Sequence, residues 1–526
     1  MEKLSDISSF KGDVLASAQA RIVLLERENE LMREEIRLLR AKRFAPTSEK
    51  SIYISGQLLL FNEAEYLARK TEPEPDTEQV VVKKKRVGKR DSDLSGLLTE
   101  RIDYTLSEDE RICPCCGGEL HEMDVEVRRE IEYIPASVKV IEHATHVWAC
   151  RHCQASADVE HTPIIRPDAP KALFPGSLAS ASLLAQIISD KYLYHLPLYR
   201  QEAAFSQDGL NLSRQTLSNW VVGAHEVWIS ALYEHMKKTL IEGTGPLHAD
   251  ETELRVLKED NRPARAKSYM WVYRTGSDAK HPLILYEYKP SRSHKCPEAF
   301  LKGYSGYLQV DGYGAYRLLD SSIEVVCCWA HARREFERAL KAMPEDKRDT
   351  SPAGCGLQFI NRLFSLERVF AEMTPERRYK ARLEKSVPVA EELYQWATSV
   401  QALPKSLLGR AVAYIVDLKP YLMRVFDDGR LELSNNRAER SIKPFVIGRK
   451  NWLFSNTPRG ANASAAIFSI IETAKENHLR IYEYLKYLFE QLPDITTSQI
   501  DDIAPWSDKL PDHVKVPTAY LPSAPQ

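Results

Sequence analysis

The strongest constraint on this chain is a change of hydrophobic period between residues 247 and 316. Pro246-Leu-His-Ala-Asp-Glu-Thr-Glu-Leu-Arg-Val256 begins as a strand. Tyr269-Met-Trp-Val-Tyr273 and Pro282-Leu-Ile-Leu-Tyr-Glu-Tyr288 follow as two more, rich in the residues that fit a pleated surface. A helix near Pro297 to Lys302 leads into Gly306-Tyr-Leu-Gln-Val-Asp-Gly-Tyr313 as a fourth strand. Ile323-Glu-Val-Val-Cys-Cys-Trp329 is the next, and it runs into a helix starting Ala330-His-Ala-Arg-Arg-Glu-Phe336. Period-two alternation puts His248, Asp250 and Thr252 on one face, and Gln309 with Asp311 on one face. A carboxylate on a buried strand is costly unless paired or metal-bound, so two on neighbouring strands call for a cation.

Strand, strand, strand, helix, strand is the order of a ribonuclease H-like core, with Asp250 on the first strand and Asp311 ending the fourth beside it. Residues 341 to 430 are largely helical and charged, broken at Pro388, Pro404 and Pro420, and read as a helical insertion. The chain then reaches Leu433-Ser-Asn-Asn-Arg-Ala-Glu-Arg-Ser-Ile-Lys-Pro-Phe-Val-Ile-Gly-Arg-Lys-Asn-Trp452. Arg437, Arg440, Lys443, Arg449 and Lys450 crowd around one carboxylate, Glu439. Cations at that density suit a phosphate backbone, which rewards neutralisation by counterion release. A carboxylate among them repels the same phosphates unless a hard divalent cation such as Mg²⁺ sits between. Two plainer readings stand beside this one: a capping box with Asn436 as N-cap and Glu439 three residues on, and a solvated helix face. Pro444 is expected to end or kink the helix.

The N-terminal third carries different signals. Leu15, Ile22, Asn29 and Ile36, with Ala18, Leu25, Met32 and Leu39, fall at the a and d positions of a heptad. They predict a coiled coil, with Asn29 fixing register, or else an amphipathic helix docked on its own protein. An acidic, Pro-rich run and the basic Val82-Lys-Lys-Lys-Arg-Val-Gly-Lys-Arg90 read as a linker, either tracking phosphates or merely solvated. Cys113 and Cys116, then Cys150 and Cys153, form two Cys-x-x-Cys turns joined by strand-like sequence, the layout of a zinc ribbon. Four thiolates close such a site, so its Zn²⁺ is structural; Cys115 and His152 are rival ligands, and a redox pair is the alternative. Further on, Ser213 caps a short polar helix on which Arg214, Gln215 and Asn219 would face bases if the pair is a helix-turn-helix. Helix pairs of that size also occur in cores that never meet DNA.

Nine cysteines in 526 residues, four of them in Cys-x-x-Cys pairs, fit a reducing compartment better than a disulfide framework. No run approaches a membrane span and the N-terminus lacks a signal-peptide core, so a cytoplasmic protein with no membrane partner is expected. The net charge of −2 excludes nothing, because acidic and basic segments cancel; any nucleic-acid surface must be local.

Taken together, His248-Ala-Asp-Glu-Thr252, Gln309-Val-Asp-Gly-Tyr313, Cys328-Trp-Ala-His-Ala-Arg-Arg334 and Asn435-Asn-Arg-Ala-Glu-Arg440 with Lys443-Pro444 resemble an insertion-sequence-66 family transposase of the DDE type. The zipper-like start, the cysteine pairs, His195-Leu-Pro-Leu-Tyr-Arg200 and Ala504-Pro-Trp506 fit as well. The resemblance implies that Asp250, Asp311 and Glu439 form a catalytic triad holding two Mg²⁺ ions for strand cleavage and strand transfer on DNA. It also implies DNA partners (element ends and target), possible accessory proteins of the same element and, with the heptads, a homodimer or larger assembly. His331 with Arg333 and Arg334 either meets DNA or packs as a helix start.

The expected α/β chain is thus a coiled coil over 1–45, a linker over 46–100 and a zinc module over 101–165. A helical DNA-binding-like region over 166–240 comes next, then a core over 241–340 and 431–480 split by the insertion over 341–430, and a tail over 481–526. Two rival functions remain at this point: a zinc-containing DNA-binding accessory protein without chemistry, and a ribonuclease H-like nuclease without strand transfer.

Overall fold

The structure, a computed structural model, describes residues 19, 21–29, 32–33, 36, 101–102, 125, 127, 137–149, 164–344, 348 and 350–517. The chain divides into two compact units, one of residues 1–45 with 138–526 and one of residues 46–137. The basic run and all four zinc-ligand candidates, Cys113, Cys116, Cys150 and Cys153, lie outside the described residues. At the N-terminus, residues 21–29 are helical, and the heptad residues Ile22, Leu25, Met32 and Ile36 are exposed on the single chain. Trp148–Ala149 (β1) and Ile164–Ile165 (β2) pair as a small antiparallel ribbon.

The core is a five-stranded mixed sheet. Its strands are Leu247–Leu254 (β3), Ser268–Thr275 (β4), Ile284–Lys289 (β5), Gly306–Val310 (β6) and Ile323–Cys327 (β7). They lie in the order β5-β4-β3-β6-β7. β3, β4 and β5 form an antiparallel meander, whereas β6 runs parallel to β3 and β7 parallel to β6. Burial explains why β4 reads as an unbroken run: Met270, Trp271, Val272, Tyr273 and Arg274 are all buried, so both faces of the sheet are covered.

Fourteen α-helices are described after residue 176, α1 to α14 in chain order. α1 (Ala181–Ile188), α2 (Leu198–Gln207), α3 (Arg214–Ala224) and α4 (Ser230–Glu242) precede the sheet. Ser213 caps α3 as expected, its hydroxyl accepting from Thr216 N–H at 3.1 Å. The short α5 (Lys295–Phe300) links β5 to β6, and α6 (Trp329–Lys341) follows β7. From there to Met423 every described element is helical: α7 (Pro352–Phe370), α8 (Pro375–Ala381), α9 (Val387–Ser399), α10 (Leu407–Asp417) and α11 (Lys419–Met423). Buried Arg382 ties this region to the returning chain, donating to the carbonyls of Val425, Asp428 and Leu431 while pairing with Glu367.

The returning chain forms α12 (Asn436–Trp452), then α13 (Pro458–Glu476) and α14 (Ile481–Gln491). α13 is buried along most of its length, and it also closes the open edge of β5. Thr473 Oγ1 accepts from Ile284 N–H and donates to Ile284 C=O, both at 3.0 Å, and Ser469 Oγ accepts from Tyr286 N–H at 2.7 Å. Those strand groups would otherwise be an unpaired edge. α14 lies within the segment read as a tail, yet Tyr484, Leu485, Leu488 and Phe489 bury one of its faces.

One expectation about α12 is corrected and another is narrowed. Its N-cap is Asn435, not Asn436, and no side chain caps it, so the capping box does not form. Nor does Pro444 end the helix, which runs on to Trp452. A proline forfeits one internal hydrogen bond. Buried Ala438, Ser441, Ile442, Phe445 and Gly448 hold the inner face of α12 on both sides of it.

Candidate carboxylate site

Parallel pairing sets the geometry. β3 and β6 pair with Leu247 opposite Leu308 and His248 opposite Gln309. Carried two residues further, the same offset sets Asp250 level with Asp311, just past the end of β6. Side chains alternate along a strand, so each aspartate shares a face with the residue two before it. Those residues, His248 and Gln309, are fully buried and bind the chain that brings in Glu439.

That chain is residues 432–435. Glu432 N–H donates to Gln309 Oε1 at 2.9 Å, and Gln309 Nε2 donates back to Glu432 C=O. Asn435 is buried and reaches three ways: Oδ1 to His248 Nδ1 at 2.9 Å, Nδ2 to Ala249 C=O at 2.8 Å, and N–H to Cys328 Sγ at 3.1 Å. Asn435 is therefore a bolt between β3 and the end of β7, which is why its side chain is not free to cap α12. One turn on, Glu439 comes close enough for its charge to act on Asp250.

Glycine is required between Asp311 and Tyr313. Gly312 has φ +103°, and a Cβ there would sit 2.7 Å from Tyr414 Oη. The turn lets Tyr313 N–H reach back to Asp311 Oδ1 at 2.8 Å, while Tyr414 Oη donates to Asp311 C=O at 2.8 Å.

Burial, then Glu251, Asp311 and Glu439, push the acid of Asp250 well above its usual range, against one hydrogen bond from Glu251 N–H at 2.9 Å. Burial likewise raises Glu251, while Tyr316 and Arg292 hold it partly back. Glu439 Oε1 is buried with no hydrogen bond and faces His331 Nε2 at 3.7 Å and Arg334 Nη2 at 3.6 Å. Burial, with Arg334 beside it, lowers the pKa of His331. The arrangement is a set of negative charges drawn together with less positive charge than they need. Among the described residues, no three His, Cys, Asp or Glu side chains are grouped so as to hold a metal ion as they stand.

The remaining candidates are spread more widely. Of the α12 cations, Arg440, Lys443 and Lys450 are exposed, but Arg437 turns in to pair with Glu432 at 2.6 Å and Arg449 donates to Thr252 Oγ1 at 3.3 Å. Arg333 pairs with Glu337 and Asn361 instead of the carboxylates. Arg214, Gln215 and Asn219 are exposed on α3, with Gln215 Nε2 donating to Asn219 Oδ1 at 3.0 Å. Sequence reasoning gave no role to Glu251, Arg292, Glu432 or Tyr414. The only signal among them was adjacency, Glu251 lying next to Asp250.

Comparison with known proteins gives the family. Residues 176–463 match the family described as Transposase IS66 family, and residues 469–506 match the IS66 C-terminal element. Residues 110–154, which include all four candidate cysteine ligands, match the zinc-finger binding domain of transposase IS66. Among similar proteins of Sinorhizobium fredii, the uncharacterized protein y4jD is 29% identical over 428 residues, 78% of this chain and 80% of its own length. The uncharacterized protein y4hP is 28% identical over 512 residues, 93% of this chain and 89% of its own. Since the first match spans more than half of the chain, the protein belongs to the IS66 family of transposases.

Proposed function

We propose that this transposase is of the DDE type, and that it cleaves the ends of its mobile element and joins them to target DNA through Asp250, Asp311 and Glu439. The observation that supports the reading is the parallel β3–β6 register, Leu247 opposite Leu308 and His248 opposite Gln309, which carried two residues on brings Asp250 to Asp311, together with the charge of Glu439 acting on Asp250. A ribonuclease H-like core is the fold this implies, supported by the order β5-β4-β3-β6-β7 with an antiparallel meander followed by two parallel strands.

The three carboxylates suit Mg²⁺, which takes hard oxygen ligands. Burial and like charge resist the ionisation of Asp250, and Glu439 Oε1 is buried without a hydrogen bond, so a dication would relieve both. When bound, Mg²⁺ supplies charge stabilisation at the attacking and leaving oxygens of a phosphoryl transfer. The protein's own part is positioning: Asn435 and Gln309 fix α12 against the strands, and Gly312 turns Tyr313 N–H onto Asp311. Arg440, Lys443 and Lys450, exposed on the same helix as Glu439, would take phosphates. Arg334 meets Glu439 and would neutralise charge at the scissile phosphate, while His331 beside it would offer a hydrogen bond.

Elsewhere, Cys113, Cys116, Cys150 and Cys153 hold one structural Zn²⁺, and the exposed heptad residues pair two chains, bringing two element ends together. Arg214, Gln215 and Asn219 read element-end sequence from α3.

The test is cleavage and joining of labelled element-end DNA with Mg²⁺ or Mn²⁺ by wild type and Asp311→Asn, with accessory products of the element added. Joined products from wild type alone are expected. Cleavage without joining would reduce the protein to a nuclease, and tight binding without chemistry would make it an accessory factor.

A further inference from the structure

A second circuit surrounds the two aspartates and links them to one arginine. Glu251 N–H donates to Asp250 Oδ1 at 2.9 Å, and Tyr313 N–H donates to Asp311 Oδ1 at 2.8 Å. Each aspartate is thus steadied by the backbone of a different neighbour, and the side chains of both neighbours grip Arg292. Glu251 Oε1 takes Arg292 Nε at 2.7 Å and Nη2 at 2.5 Å, while Tyr316 Oη donates to Glu251 Oε2 at 2.5 Å. On the other side, the Arg292 guanidinium lies 3.8 Å from the centre of the Tyr313 ring, and Tyr313 Oη donates to Arg292 C=O at 3.3 Å. The Glu251 side chain is 1% exposed and that of Arg292 39%. Arg292 itself belongs to neither strand; it sits between β5 and α5.

We infer that Arg292 is a positioning residue for the carboxylate site, a clasp that fixes how far apart Asp250 and Asp311 stand by holding Glu251 and Tyr313 at once. The inference rests on the reading of Asp250 and Asp311 as metal ligands. A planar guanidinium suits the role because it can take a carboxylate with two nitrogens and stack on a ring at the same time. An ammonium is a point charge and does one of these at a time. The circuit therefore depends on shape, and charge alone does not close it.

That distinction sets the experiment. Mn²⁺ binding to the full chain is followed by electron paramagnetic resonance, with DNA affinity and melting temperature measured in parallel, for wild type, Arg292→Lys, Arg292→Met and Asp311→Asn. Wild type should bind Mn²⁺ and Asp311→Asn should bind it at least tenfold more weakly; if wild type shows no Asp311-dependent binding, the metal-ligand reading falls and takes the clasp with it. Given that binding, Arg292→Lys should weaken Mn²⁺ about tenfold, while DNA affinity stays within about twofold and the melting temperature within a few degrees. Arg292→Met should weaken it at least as much. A silent Arg292→Lys, with Arg292→Met binding Mn²⁺ more tightly than wild type, would show that Arg292 acts only as a nearby positive charge and would overturn the clasp. Loss of melting temperature in Arg292→Lys with Mn²⁺ affinity unchanged would overturn it too, by making the circuit merely structural.

Discussion

Asp250 is placed where its charge is resisted. Burial and three neighbouring carboxylates favour its acid form, so Asp250→Asn removes a penalty as well as the proposed ligand. We expect Asp250→Asn to leave the melting temperature of the metal-free protein unchanged or raised, while strand joining falls by at least about a thousandfold. A sharp loss of stability would mean that the carboxylate is structural. Gly312 makes the opposite prediction: with φ +103° and Tyr414 Oη in the way, Gly312→Ala should cost about 1–3 kcal/mol in chemical denaturation and displace Asp311. The buried thiol of Cys328, pushed up to about 11 from an ordinary 9.0 by burial, gives a pH test. A raised acid adds stability that is complete below the unfolded value and is lost as pH rises through the folded one. Wild type should therefore lose stability relative to Cys328→Ala between about pH 9 and 11, read as the difference in denaturation midpoints.

Among the elements, β3 and α12 matter most, and they were legible to different degrees. The strands could be read because β-branched and aromatic runs have few alternatives, and the pairing of Asp250 with Asp311 follows from element order. The start of α12 was misread. Asn436 looks like a cap by local spacing, but Asn435 is spent on Ala249 and His248, a tertiary demand that no local pattern encodes. Of the two outcomes expected at Pro444, an end to the helix is excluded, since packing on both sides of it outweighs one lost hydrogen bond. The five α12 cations look alike in sequence; the structure separates Arg437 and Arg449, which reach Glu432 and Thr252, from the exposed Arg440, Lys443 and Lys450. Support from outside the sheet can be tested at Arg382, which is buried and holds three carbonyls of the segment leading to α12. Replacing it by alanine leaves Glu367 and those carbonyls without their partner, and should cost about 3–5 kcal/mol in denaturant unfolding. A cost below about 1 kcal/mol would show that the helical region does not brace the site.

For the whole molecule, the proposed function joins a catalytic sheet to modules that would recognise and pair DNA ends. No described helix is long and apolar enough to cross a membrane. The exposed heptad residues predict self-association: deletion of residues 1–45 should convert the sedimenting species to monomer and abolish coordinated cutting of two ends. The central claim, though, is that Asp250, Asp311 and Glu439 act as one metal-binding unit, and replacement of Asp311 by cysteine tests it most directly. A thiolate is a poor partner for Mg²⁺ and a better one for softer ions. We predict that Asp311→Cys joins no ends in Mg²⁺ and recovers joining in Mn²⁺, while Asp311→Asn stays inactive in both. Equal activity of Asp311→Cys and wild type in Mg²⁺, or a folded, DNA-binding Asp311→Cys that Mn²⁺ never revives, would contradict it.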